Sequence, residues 1–120
     1  MKYLLIFILL VTFTVQSNER TMVIDSLLNK DNYAATEWEN RGLIPSPSTT
    51  VKSMNSATKL FLIDLKVIAI DSSNADKAKK VSELVDQLPW GELDTEEKEF
   101  LADVLAPAIQ SVGLNPWAIF

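Results

Sequence analysis

Thr50-Val-Lys-Ser-Met-Asn-Ser-Ala-Thr-Lys-Leu-Phe-Leu-Ile-Asp-Leu-Lys-Val-Ile-Ala-Ile70 is the stretch whose reading decides the fold. Val51, Met54, Thr58, Phe61, Leu65 and Ile68 recur at intervals of three and four residues, which places them on one face of a helix. Lys52, Lys59 and Lys66, seven apart, mark the other side. Leu60, Ile63 and Val67 intrude among the lysines, which predicts a central helix covered on more than one side. Residues 61–70 also permit a strand, because Phe61, Ile63, Leu65, Val67 and Ala69 alternate. Continuity with the helical spacing from Val51 to Phe61 favours the helix.

The flanks of this stretch read the same way. Towards the N-terminus, Gly42-Leu-Ile-Pro-Ser-Pro-Ser48 is a loop, since each proline biases the residue before it away from helical dihedrals. Ahead of it, Asp31 can cap a short helix through Tyr33, Ala34, Ala35 and Trp38 that Gly42 stops. Val23, Ile24, Leu27 and Leu28 predict another, with Asn18 as its N-cap. Towards the C-terminus, Asp71-Ser-Ser-Asn74 is a turn, and Ser73 with Asp76 resembles a capping box. The helix that follows turns Ala78, Val81, Leu84, Val85 and Leu88 inward and Lys77, Lys79, Lys80, Glu83 and Asp86 outward, and Pro89-Trp90-Gly91 ends it. Asp94-Thr-Glu-Glu97 opens the last long helix with an N-cap and acidic residues suited to the positive end of its dipole. Phe100, Leu101, Val104, Leu105, Ala108, Ile109 and Val112 form its core stripe, Pro107 should kink it, and Val112-Gly113-Leu114 should stop it. The expected fold is all-α, a compact bundle of four to five helices.

Met1-Lys2 followed by the apolar run Tyr3 to Val15 and then Gln16-Ser17 has the charged start, short apolar centre and small-residue end of a secretory signal. The run is shorter than the roughly 20 residues of a membrane span. The reading is a signal peptide over residues 1–17, cut before Asn18, and a single helical domain over 18–120. The protein is then secreted or periplasmic, without stable membrane insertion after processing. Without cysteine there is no disulfide at an oxidising destination, and there is no Asn-x-Ser/Thr sequon, which together suit a bacterial envelope better than an animal secretion.

Eleven Lys/Arg against sixteen Asp/Glu give a formal charge of −5, and without Lys2 ten face sixteen, or −6. Such a surface repels phosphate backbones and anionic lipid, so no nucleic acid is expected as a partner. A basic protein partner is the electrostatically favoured kind, and the oligomeric state is left open.

The absence of histidine and cysteine removes Ser-His-Asp and Cys-His nucleophiles, zinc sites built on these residues, and haem or iron–sulfur ligation through them. Gly42, Gly91 and Gly113 stand alone, so there is no glycine-rich phosphate loop. Carboxylate chemistry survives this filter: Glu92, Asp94, Glu96, Glu97 and Glu99 could bind a hard cation, but calcium-loop spacing fails both here and at Asp71 to Asp76. A solvated, dipole-favoured helix start is the better reading of that run. Asp64, between Ile63 and Leu65, reads as a structural partner of Lys59 or Lys66. No catalytic residue, metal or cofactor is expected, and the protein is read as no enzyme.

Trp38, Trp90 and Trp117 all lie near element ends, where aromatic side chains either seal loops onto a core or anchor a binding surface. With Glu92, Asp94 and Glu96 they form the candidate interaction surface. The apolar tail Pro116-Trp117-Ala-Ile-Phe120 should turn back at Gly113 so that Trp117 and Phe120 dock on the bundle; the other reading presents the tail to a partner as an exposed apolar patch.

Leu93-Asp-Thr-Glu-Glu-Lys-Glu-Phe-Leu-Ala-Asp-Val-Leu105, followed by Gly113-Leu-Asn-Pro-Trp117, resembles the C-terminal half of an uncharacterised family of small helical bacterial domains. The Gly42-Leu-Ile-Pro-Ser46 loop is compatible with it. The resemblance implies an all-helical bacterial domain and carries no functional residue. The expected role is a non-catalytic protein-interaction module of the bacterial envelope (an inhibitor, immunity-type or adaptor protein). The alternative is a carrier that encloses a small apolar ligand in its bundle.

Overall fold

A helix longer than one turn of a globule has to bury a stripe, and the 24-residue helix of this chain buries one along most of its length. The structure, a computed structural model, describes residues 21–120. The signal peptide read over 1–17 and the Asn18 cap lie outside the described residues.

Residues 21–28 are helical (α1) and are followed by α2 (Ala35–Asn40), α3 (Ser48–Asp71), α4 (Asn74–Asp86), a 3-10 turn (Trp90–Glu92), α5 (Thr95–Ser111) and α6 (Pro116–Ile119). No strand occurs among the described residues, so the fold is all-α and the alternating reading of 61–70 gives way to helix. Helix α3 is the spine: α4 and α5 pack on it, and α6 closes against α4 and α5.

The helix ends follow local chemistry. Gly42 (φ 74°) and Gly113 (φ 88°) take the left-handed conformation that ends α2 and α5. In each case the next residue reaches back across the last turn, Leu43 N–H to the Trp38 carbonyl (2.9 Å) and Leu114 N–H to the Ile109 carbonyl (3.4 Å). Asp94 caps α5 reciprocally: its Oδ1 accepts from Glu97 N–H at 2.8 Å, and Glu97 Oε1 accepts from Asp94 N–H at 2.9 Å. Ser73 is the extended residue before α4, but its hydroxyl lies 3.1 Å from Asp76 Oδ2 and caps no backbone N–H. Helix α5 runs unbroken through Pro107, which is exposed, so the missing N–H leaves no buried carbonyl stranded at that position.

The core is continuous from Ile24 through Tyr33 and Trp38 to Met54, Phe61, Leu62 and Leu65 on α3, Val81 and Val85 on α4, and Phe100, Leu101, Leu105 and Ile109 on α5. On α4 the inward face is rotated from the expected one, because Lys77 is buried and Ala78 exposed. Lys77, Val81, Val85 and Leu88 lie one turn apart, and a lysine stem of four carbons covers more apolar surface than an alanine methyl. On α3 the inner face is as expected, with Met54, Thr58, Phe61 and Leu65 buried. Its other side is open, contrary to the expectation of cover on more than one side.

Candidate functional site

The three tryptophans have separate fates. Trp38 is 1% exposed: its ring stands edge-on to Phe100 at 4.7 Å, and its Nε1–H donates to the Tyr33 carbonyl at 3.1 Å. Tyr33 meets the same Phe100 ring at 5.0 Å, and the Arg41 guanidinium sits over it at 4.6 Å while pairing with Asp103 at 2.8 Å. This junction clamps α2 onto α5. Trp90 is half-buried, and its Nε1–H donates at 2.8 Å to the Val85 carbonyl, which also accepts from Leu88 N–H at 3.1 Å near the end of α4. Trp117 is 63% exposed. Trp90 and Trp117 both face Phe120, with centroids at 6.0 and 5.7 Å, so these two share one aromatic cluster and Trp38 does not belong to it. The tail is held by buried Pro116 and by Ile119 packed against the core, and not by Trp117, which turns outward instead of docking as expected.

The acidic residues divide similarly. Glu92 and Glu96 are exposed, and Asp94 is committed to the α5 cap. Glu97, read with them as solvated, is buried: its second oxygen accepts from Ser46 Oγ at 2.5 Å, which ties the proline loop to the start of α5. A sequence window cannot show that bond, because its partners are 51 residues apart. Among the described residues, no group of three or more Asp or Glu is placed to hold a metal ion. No described helix is long and apolar enough to cross a membrane.

One buried phenol is strongly perturbed. Tyr33 Oη and Thr58 Oγ1 lie 2.6 Å apart in the core, the second of them on the inner face of α3. Burial pushes the Tyr33 phenol far above its ordinary value, and the Thr58 hydrogen bond works weakly against that shift. The group stays a neutral hydroxyl and touches no cleft chemistry, so it serves packing.

What the expected surface omitted is the outer face of α3. Leu60, Ile63, Val67 and Ile70 are exposed to 64, 43, 53 and 60%, spaced by three, four and three residues along one side of a rigid helix. Lys59 and Lys66 border this strip on one side, Asp64 and Asp71 on the other. Lys66 Nζ pairs with Asp25 on α1 at 2.7 Å, and neither Lys59 nor Asp64 makes an ion pair among the described residues. The expected pairing of Asp64 with Lys59 or Lys66 fails on geometry, since residues five and two apart point to different sides of a helix. Beside the strip, between α3 and the end of α4, lies an open groove of about 380 Å³ whose walls include Ala57, Leu60, Asp64, Leu84 and Leu88. The signal in the sequence was the intrusion of Leu60, Ile63 and Val67 among the lysines; their burial did not follow from it.

Comparison of the chain with known family models, curated proteins and solved structures returned no match.

Proposed function

We propose that this chain is a non-catalytic protein-interaction module exported to the bacterial envelope, of the inhibitor, immunity-type or adaptor kind. The observation that carries the reading is the apolar strip Leu60–Ile63–Val67–Ile70, held in the open on the longest helix of the fold. Contiguous apolar surface of this kind is what monomers usually cover, and its exposure marks a place where another surface docks. The aromatic cluster of Trp90, Trp117 and Phe120 and the acidic residues Glu92, Asp94 and Glu96 make a second candidate contact, suited to a basic partner. Export is part of the same proposal and rests on the leader read over residues 1–17, and the bacterial setting rests on the resemblance of Leu93–Leu105 and Gly113–Trp117 to small helical bacterial domains. The carrier reading has one observation in its favour, the groove beside Leu60, but the groove is open rather than enclosed by the bundle.

Two measurements test this. Mass spectrometry of the exported fraction should find a chain that begins at Asn18 or within a residue or two of it, and an intact Met1 there would sink the export reading. Cross-linked capture from envelope extract should recover partners with the native chain and lose them with Val67→Glu, which places a charge on the strip and leaves the core untouched. Equal recovery by both would remove the strip from the reading.

A further inference from the structure

We infer that the docking partner of the α3 strip is a second copy of this chain, paired in parallel, α3 beside α3. This rests on the reading of the strip as a docking face and names its occupant. Leu60, Ile63, Val67 and Ile70 take the two inward positions of a coiled-coil heptad, a and d. Phe61, Leu62 and Leu65 take the outward positions, and here those face the domain's own core. The helix therefore has one seam satisfied within the chain and one seam of coiled-coil spacing that is not. Residue 56, one turn earlier on the open seam, is an exposed serine.

The charges beside the seam choose both the occupant and its direction. Lys59 and Lys66 occupy the g positions, and Asp64 and Asp71 the e positions. In a parallel pair each g residue meets the e residue five positions later on the other helix. Lys59 would then face Asp64 of the second copy and Lys66 would face Asp71, twice each by symmetry. An antiparallel pair would set lysine against lysine and aspartate against aspartate. Asp64 and Lys59 have no ion pair within the described chain, and Lys66, already on Asp25, keeps donors to spare. The net negative charge of each copy opposes approach, but it is screened beyond about 8 Å at physiological salt, so the local pattern decides. Isoleucine at d by itself would favour higher assemblies. Here Asp25 of α1 flanks α3 through Lys66, and Leu84 of α4 flanks it across the groove, which leaves room for one neighbour. The strip is eleven residues long, about 16 Å. That places the pair among small interfaces and implies reversible association.

The test uses the chain purified from the exported fraction, in sedimentation equilibrium from micromolar to sub-millimolar concentration. The native chain should approach a dimer, and Val67→Glu should stay monomeric while keeping its thermal midpoint in dilute solution. Lys59→Asp should weaken the dimer, and Lys59→Asp with Asp64→Lys should restore it. Because the chain has no cysteine, Ser56→Cys reports direction: oxidation should cross-link two copies, since only a parallel pair brings residue 56 against itself. A dimer that Ser56→Cys fails to cross-link overturns the parallel pairing. A native chain that is monomeric throughout overturns the inference, and the capture experiment then separates the two readings. If Val67→Glu still abolishes capture, the strip docks a different protein and the proposed function stands. If capture is unchanged, both fall.

Discussion

Helix α3 carries the same apolar spacing twice. Met54, Thr58, Phe61, Leu65 and Ile68 line one face, and two residues further on Ser56, Leu60, Ile63, Val67 and Ile70 repeat the interval. Two residues are about 200° of rotation, so the two rows stand nearly back to back. The first row is closed by α4, α5 and the Tyr33–Trp38–Phe100 junction; the second stays exposed, with the groove to α4 along one end of it. Residue type barely distinguishes them. What does is the supply of partners: the large buried apolar residues of α2, α4 and α5 all belong to the one core that the inner row joins. An outer row of this quality therefore calls for a surface from elsewhere, and the following experiments break or sharpen that contrast.

The inner row should respond most. Phe61 is buried mid-row among α3, α4 and α5 side chains, and Phe61→Ala should cost about 3–5 kcal/mol. That is a large share of the stability of about 5–15 kcal/mol typical of small domains. A denaturation midpoint equal to the native one would show that the inner row does not hold the fold. The polar member of that row gives a pH test. With its folded value raised, Tyr33 binds its proton more tightly in the folded chain, so its stabilisation is complete below its unfolded value of 10.0 and is lost as the pH rises above it. Thermal midpoints should fall above that pH in the native chain, and Tyr33→Phe should flatten this particular decline.

Smaller effects are expected where elements close on the core without belonging to the inner row. Removing residues 116–120 takes away buried Pro116, Ile119 and the Phe120 ring against Trp90. It should lower the thermal midpoint by about 4–8 °C, the shift that roughly 1 kcal/mol produces in a domain of this size. An unaltered midpoint would mean that the tail is presented rather than docked. Asp94→Ala removes one half of the α5 capping box and should cost about 1 kcal/mol by urea denaturation. A cost near zero would place the restraint of α5 in the Ser46–Glu97 bond instead.

Much of this was legible in the sequence because it is local. The 3–4 spacing in α3, the glycine stops at Gly42 and Gly113, and the Asp94–Glu97 box each depend on residues within a turn or two of one another. Where the structure departs from expectation, the deciding partner is distant. Glu97 is buried because Ser46 meets it from another part of the chain, and Lys66 finds an acidic partner in Asp25 because α1 lies alongside. Lys77 displaces Ala78 from the inner face of α4 because periodicity gives an angle and not the size of the gap to be filled. The candidate surface was partly legible: three tryptophans at element ends were visible, but nothing in a linear reading separates Trp38 in the core from Trp117 at 63% exposure. The outer row of α3 was visible as apolar intrusion among lysines. Whether such a row is covered depends on how many apolar faces the other elements have to offer, which is a property of the assembled chain.

The smallest expected effect is the most discriminating. Val67→Ala trims the outer row, where Leu65→Ala, two residues earlier, trims the inner one. Leu65 is fully buried and should cost about 2–5 kcal/mol on truncation, with a cavity left behind. Val67 is 53% exposed, and in dilute solution its truncation should change stability by no more than about 0.5 kcal/mol. The two should also differ in how they respond to concentration. Association stabilises the folded state by mass action, so the native chain should melt higher as its concentration rises. Leu65→Ala, with its outer row intact, should keep that slope at a lower midpoint. Val67→Ala should keep the dilute midpoint and lose part of the slope. A Val67→Ala chain that is destabilised equally at every concentration would mean that the outer row is packed within the chain after all. A native chain with no slope would leave α3 with an open row and no second copy to close it.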